Sequence, residues 1–185
     1  MRIQNKLHVW ANGLGLLAVC AMFILAFADQ IFNHDLPCPL CLLQRICFAG
    51  IGICLMMNLR LGIKASHYGM MLLQAFLGLA IAMRQLYLHL APDDPGFGNT
   101  LLGLHFYTWA AIAFMLISLF IAVALILEDG LNPQYKTDNK WLIALMCFFL
   151  LLILANGIST FIQCGPYRCP DTPTSYYLLN NHAGL

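Results

Sequence analysis

The sequence predicts an all-α membrane protein of five spanning helices, and three observations carry that expectation. Of the 185 residues, 61% are hydrophobic and only 9% charged, where a soluble domain carries about 25% charged residues. Mean hydropathy is +0.78. The apolar residues gather in five runs, each long enough, or nearly so, to supply the about 20 helical residues that a hydrocarbon core demands. The net charge of +1 comes without a basic cluster, so nothing points to nucleic acid as a partner.

The first run, 9–28, ends in "AFA" before Asp29 and so resembles a signal-peptide cleavage site. Its apolar stretch is longer than the about 7–15 residues of such segments, and an uncleaved anchor is expected. The second run, 41–59, is the least apolar, because Gln44 and Arg45 lie in its first turns. The third, fourth and fifth are 68–91, 101–127 and 141–162. Between them lie "DQIFNHDLPCP", "RLGIKASH", "APDDPGFGNT" and "EDGLNPQYKTDNK", with the Pro, Gly, Asn and Asp content of loops. No internal repeat is apparent. The expected organisation is one transmembrane domain, 1–162, followed by a polar tail, 163–185.

Basic residues in short loops mark the cytoplasmic side. With the N-terminus inside, the cytoplasmic segments hold Arg2, Lys6, Arg60, Lys64, Lys136 and Lys140, and the outer segments hold Arg168 alone. Asp29, Asp35, Asp93, Asp94 and Asp171 then lie outside, as does the C-terminus. Trp10 and Trp141 on the inner side, and the "HFYTW" stretch 105–109 on the outer, suit the interfaces.

The eight cysteines divide by surroundings. Cys20, Cys47, Cys54 and Cys147 lie in apolar runs, where a free cysteine packs as a small hydrophobe. Cys38, Cys41, Cys164 and Cys169 lie in polar segments with proline, all on the outer side in this topology. Cys38 and Cys41 form a Cys-x-x-Cys pair, a spacing that shifts thiol pKa and favours exchange. Cys41 falls near the amino end of the second helix, where the macrodipole favours a thiolate. Arg45, one turn on, shares its face and is expected to snorkel back toward that end. A charge inside a span is costly and marks a functional site by default.

Arg84, eight residues before Pro92, reads instead as a structural residue reaching the surface or Asp93 and Asp94. His89 and His105 read as ordinary interfacial rings. "QCGPYRCP" carries Cys164 and Cys169 directly after the fifth run. Two redox-capable pairs on one side suggest an electron relay. The competing chemistry is a closed four-sulfur zinc site, which leaves Arg45 unexplained. Haem is disfavoured, because the motif runs on as "CL" without the histidine of Cys-x-x-Cys-His.

The stretch "CPLCLLQR" resembles the DsbB family of bacterial inner-membrane proteins, which reoxidise a periplasmic thiol oxidase of DsbA type and pass the electrons to quinone. The resemblance covers roughly residues 8 to 127. It implies a four-helix bundle, here with a fifth C-terminal helix, and a disulfide-forming thiol:quinone oxidoreductase in the inner membrane. It also implies that Cys38 and Cys41 are the membrane-proximal redox pair, with Cys41 facing the quinone and Arg45 contacting it. Ubiquinone or menaquinone would be the cofactor.

One departure is large. The best-known members carry their second pair between spans three and four, a loop that here lacks cysteine. By simplest inference the partner-facing pair is relocated to Cys164 and Cys169. The alternatives are a quinone reductase like vitamin K epoxide reductase, whose Cys-x-x-Cys usually comes late in the bundle, and a non-enzymatic membrane protein with structural disulfides or a metal site.

Overall fold

The computed structural model describes residues 2–91, 93–126 and 137–180, the side chains of 2–6 and 180 excepted. Lys136, used above to orient the chain, lies outside the described residues, as do 127–135 and the end of the tail, 181–185. Five long helices dominate: α1 (Arg2–Phe32), α2 (Pro39–Leu61), α3 (Ala65–Leu88), α4 (Phe106–Ile126) and α5 (Lys140–Cys164). All five are long and apolar enough to cross a membrane by length and composition. A two-residue hairpin, β1 (Thr100–Leu101) with β2 (Leu104–His105), precedes α4, and one short turn, α6 (Tyr177–Asn180), sits in the tail.

Local chemistry moves several helix ends from the runs read in the sequence. Helix α2 starts at Pro39 rather than Cys41, because proline's fixed φ and missing N–H suit a first helical position. Cys38 is its N-cap, and its sulfur accepts the Cys41 amide at 3.2 Å. Cys41 is therefore inside the first turn. Helix α3 stops at Leu88, short of the expected 91. Helix α4 begins at Phe106 rather than 101, because the preceding residues turn back as the hairpin with Leu102 and Gly103 both at positive φ. That conformation suits glycine and favours a tight turn over a helix. Helix α5 is capped by Asn139, whose side chain accepts the Trp141 amide at 3.0 Å, and ends at Gly165 with φ 61°.

Helix α3 packs between α2 and α4, while α1 packs against α2 and α5. Close approach depends on glycine at two crossings. A Cβ at Gly78 of α3 would run into the Phe114 ring of α4, and one at Gly52 of α2 into the Phe149 ring of α5. Phe48 stacks on Phe114 with centroids 4.1 Å apart, joining α2 to α4 through the core. Burying one such aromatic group contributes roughly 1.5–3 kcal/mol in water. In lipid the gain comes from close packing rather than water exclusion.

Candidate functional site

Cys38 and Cys41 sit where α2 begins, and both are free thiols in the structure. Cys38 is buried, at 6% exposure. Its thiol is pushed well above the usual range, first by the hydrogen bond it shares with Cys41 and then by burial. The pair does not stand alone on its helix. Gln85 of α3, 1% exposed, sends its side-chain amide to Cys38 Sγ at 3.3 Å and to Cys41 Sγ at 3.4 Å. Its carbonyl accepts from Gln44 Nε2 at 2.9 Å, which orients the amide toward the sulfurs. An N–H aimed at sulfur favours the thiolate over the thiol.

Arg45 lines the same cleft as Cys41 but does not snorkel back along its own helix as expected. Its guanidinium crosses to two other helices. Nη1 donates to Gln30 Oε1 at 3.1 Å and to Asn156 Oδ1 at 3.2 Å, and Nη2 donates to the Ala26 carbonyl at 3.2 Å. The Phe27 ring lies 5.8 Å from the charge. Three acceptors nearby remove the need to reach water, which is the drive behind snorkelling.

The cleft lies between the C-terminal half of α1 and the N-terminal halves of α2 and α4 and holds about 110 Å³, several times the roughly 10–15 Å³ that a single water needs. Its walls are mostly apolar, with Phe23, Phe48, Phe106 and Tyr107 among them, and the loop residues Phe97 and Gly98 close one side. Asp29 and Asp35 also line the cleft. Asn99 ties them to this loop: its amide donates to Asp35 at 2.9 Å and its side chain to Asp29 at 3.1 Å. Burial pushes the Asp35 carboxyl upward, and the Asn99 amide partly offsets it.

Cys164 and Cys169 form a disulfide at the end of α5, with Cys164 buried. Gln163 donates to the Pro37 carbonyl at 2.8 Å, so the residues next to Cys164 and Cys38 in the chain are hydrogen-bonded to each other. Among the described residues no group of three or more His, Cys, Asp or Glu gathers to hold a metal. Arg84 is exposed on α3. His89 pairs with Asp94 at 3.0 Å, and His89 and His105 both stack on Tyr107.

Gln30, Gln85, Asn156 and Gln163 were passed over in the sequence reading, and Gln44 was noted only as making the second run less apolar. The available signal was an uncharged amide inside an apolar run. Such a group is expensive in lipid unless a partner meets it.

Residues 8–99 match the family model for the disulfide bond formation protein DsbB. Over that segment the chain is similar to the DsbB family. Among relatives, the disulfide bond formation protein B of Marinobacter nauticus is 36% identical over 89 residues, 46% of this chain and 53% of its own. That of Methylobacillus flagellatus is 36% identical over 98 residues, covering 48% and 57%. That of Xanthomonas axonopodis pv. citri is 31% identical over 86, covering 44% and 50%. The chain thus spans about half the length of the curated relatives it matches. No solved structure gives a significant match. The DsbB segment contains Cys38, Cys41, Arg45 and Gln85 but ends before α4, α5 and the tail cysteines.

Proposed function

We propose that this protein is a thiol:quinone oxidoreductase of the inner membrane. In this reading it reoxidises a soluble periplasmic dithiol oxidase of DsbA type and so supports disulfide bond formation. The observation that carries it is the shared cleft: Cys41, next to its partner Cys38, and the cationic Arg45 line one mostly apolar pocket at the same end of the bundle. Such a pocket fits a quinone, which needs flat apolar walls and a donor for its carbonyl oxygen. When bound, the quinone accepts two electrons and two protons. The basic residues of the loops favour a cytoplasmic N-terminus and a periplasmic tail.

Phe23, Phe48 and Phe106 would hold the ring by apolar contact, and Arg45 would hold the negative charge that develops on its oxygen. Gln85 favours the thiolate that must attack, and Cys38 closes the disulfide with Cys41. The balance is two thiols oxidised to one disulfide, with two electrons and two protons leaving to give the quinol. Ubiquinone and menaquinone both satisfy this chemistry. In the preceding exchange the Cys164–Cys169 disulfide takes the attack of the partner dithiol. The partner leaves oxidised, and the released Cys164 and Cys169 thiols reduce Cys38–Cys41 in turn. The Gln163 bond to Pro37 supports this order, because it keeps the two pairs in adjoining segments.

Thiol trapping in membranes tests the proposal. Cys38 and Cys41 should be trapped as a disulfide when quinone is supplied and as thiols when it is withheld with a dithiol partner present. Arg45→Ala should raise the apparent KM for quinone by about tenfold or more, the loss of a charged hydrogen bond. A redox state indifferent to quinone supply would sink the reading. The Cys164→Ser/Cys169→Ser variant should leave the partner reduced, and full partner oxidation there would make the tail disulfide a brace.

A further inference from the structure

Helix α5 and the tail lie outside the segment that matches the DsbB family model, yet α5 reaches Arg45, which lines the cleft. Asn156, Ser159 and Gln163 lie three and then four residues apart, on one face of α5. Each is engaged. Asn156, 7% exposed, gives its carbonyl to Arg45. Ser159 Oγ accepts from Gln30 Nε2 at 2.8 Å. Gln163 holds Pro37.

Gln30 is the pivot. It is 3% exposed, and its side-chain NH₂ faces two hydroxyl oxygens, that of Ser159 and that of tail residue Tyr176 at 3.0 Å. With the NH₂ so engaged, the carbonyl Oε1 is turned to the guanidinium. The flipped amide would set NH₂ against a cation, so the guanidinium fixes which end of Gln30 it meets, and Ser159 and Tyr176, met by the NH₂, hold the Gln30 side chain in place.

We propose that α5 and the tail form an arginine clamp, in which Asn156 accepts from Arg45 directly and Ser159 and Tyr176 act through Gln30, as positioning residues for the Arg45 guanidinium at the cleft. This rests on the reading of the cleft as a quinone site and names what sets that site's geometry in this chain. The clamp has a physical rationale. A guanidinium held by three acceptors is fixed in place beside the cleft that Arg45 lines, whereas a loose one would spread over many rotamers before meeting a ligand.

Two measurements on purified full-length protein in detergent test the clamp. The first needs no quinone: phenylglyoxal labelling of Arg45, followed by mass spectrometry. Freeing the guanidinium should speed labelling by about tenfold in Asn156→Ala, and by about threefold in Tyr176→Phe, which removes a neutral hydrogen bond. Ser118→Ala, which removes a helix-internal hydroxyl bond on α4, should leave the rate unchanged. The second is equilibrium dialysis with a water-soluble short-chain benzoquinone. Asn156→Ala should weaken binding about tenfold in the native background and add no loss in an Arg45→Ala background, since the two act as one unit. Unchanged Arg45 labelling in Asn156→Ala overturns the clamp, as does an equal binding loss in both backgrounds. Native protein that binds no quinone overturns the reading of the cleft instead, with the labelling still deciding the clamp.

Discussion

At the end of the bundle away from Cys38 and Cys41, Asn12, Asn58, His67 and Tyr68 form a closed network. Asn12 Nδ2 donates to the His8 carbonyl and to Tyr68 Oη, both at 2.8 Å, and Asn58 Nδ2 donates to Asn12 Oδ1 at 2.9 Å. Asn58 Oδ1 then accepts the Lys64 amide at 3.3 Å and His67 Nδ1 at 2.9 Å, which requires the proton on that ring nitrogen. At the end that carries Cys38 and Cys41 the amides are as deeply buried, but they face sulfur, a guanidinium and an open cleft. Two buried polar atoms there, Gln163 Oε1 and His105 Nδ1, have no hydrogen-bond partner. A closed network fixes helices; an open one leaves groups for chemistry. The same residue type, an amide in an apolar helix, therefore braces one end and prepares reactive groups at the other.

The comparison breaks most visibly at Asn58. Asn58→Ala removes one donor and one acceptor that together serve three partners, leaving Asn12, His67 and the Lys64 amide short. The expected cost is about 2–4 kcal/mol, from the unsatisfied buried groups. It is read as a lower unfolding midpoint in detergent. Alkylation rates of Cys38 and Cys41 in the folded protein should not change. A slowed or quickened thiol reaction at native temperature would show that the Asn58 network is coupled to the site.

Gln85→Leu sharpens the contrast from the other end. It keeps the volume and removes the amide, so the stability change should be about 1 kcal/mol. The thiolate of the Cys38–Cys41 pair loses its donor, and the rate of disulfide exchange should fall by about threefold to tenfold. A variant that unfolds early but exchanges normally would place Gln85 with the braces.

How far these roles were legible follows from where their signals lie. The spans and the Cys-x-x-Cys followed by arginine are local patterns, and composition with a short motif suffices to read them. The shortened α4 was readable in part, because Gly103 marks the hairpin turn. The partners of the sulfurs were not, because Gln85 comes 44 residues after Cys41 and only the packing of α3 on α2 brings them together. Arg45 was read as snorkelling because its own helix offers no acceptor, and those on α1 and α5 belong to tertiary structure. The spacing of Asn156, Ser159 and Gln163 was the one pattern within α5 that announced a polar face.

The smallest expected effect concerns the loop that closes the cleft. Asp94 Oδ1 accepts the Gly96 amide at 2.8 Å, and Oδ2 meets His89 Nδ1 at 3.0 Å. The Gly96 amide first, and His89 second, hold the Asp94 carboxyl below its ordinary value. A depressed folded value means the ionised form is favoured by the folded loop. Its contribution is complete above the unfolded carboxylate pKa and is lost as pH falls through the folded one. Phe97 and Gly98 of this loop line the cleft, so the loss should loosen one wall without unfolding the bundle. Hydrogen exchange of the Gly96 amide, compared with Asp94→Asn at each pH, measures it. The native loop should be the better protected near neutrality, and the two should converge in acid. Equal protection at neutral pH would remove Asp94 from the account of the cleft and leave Asn99, bonded to Asp29 and Asp35, as what holds the loop to α1 and the segment after it.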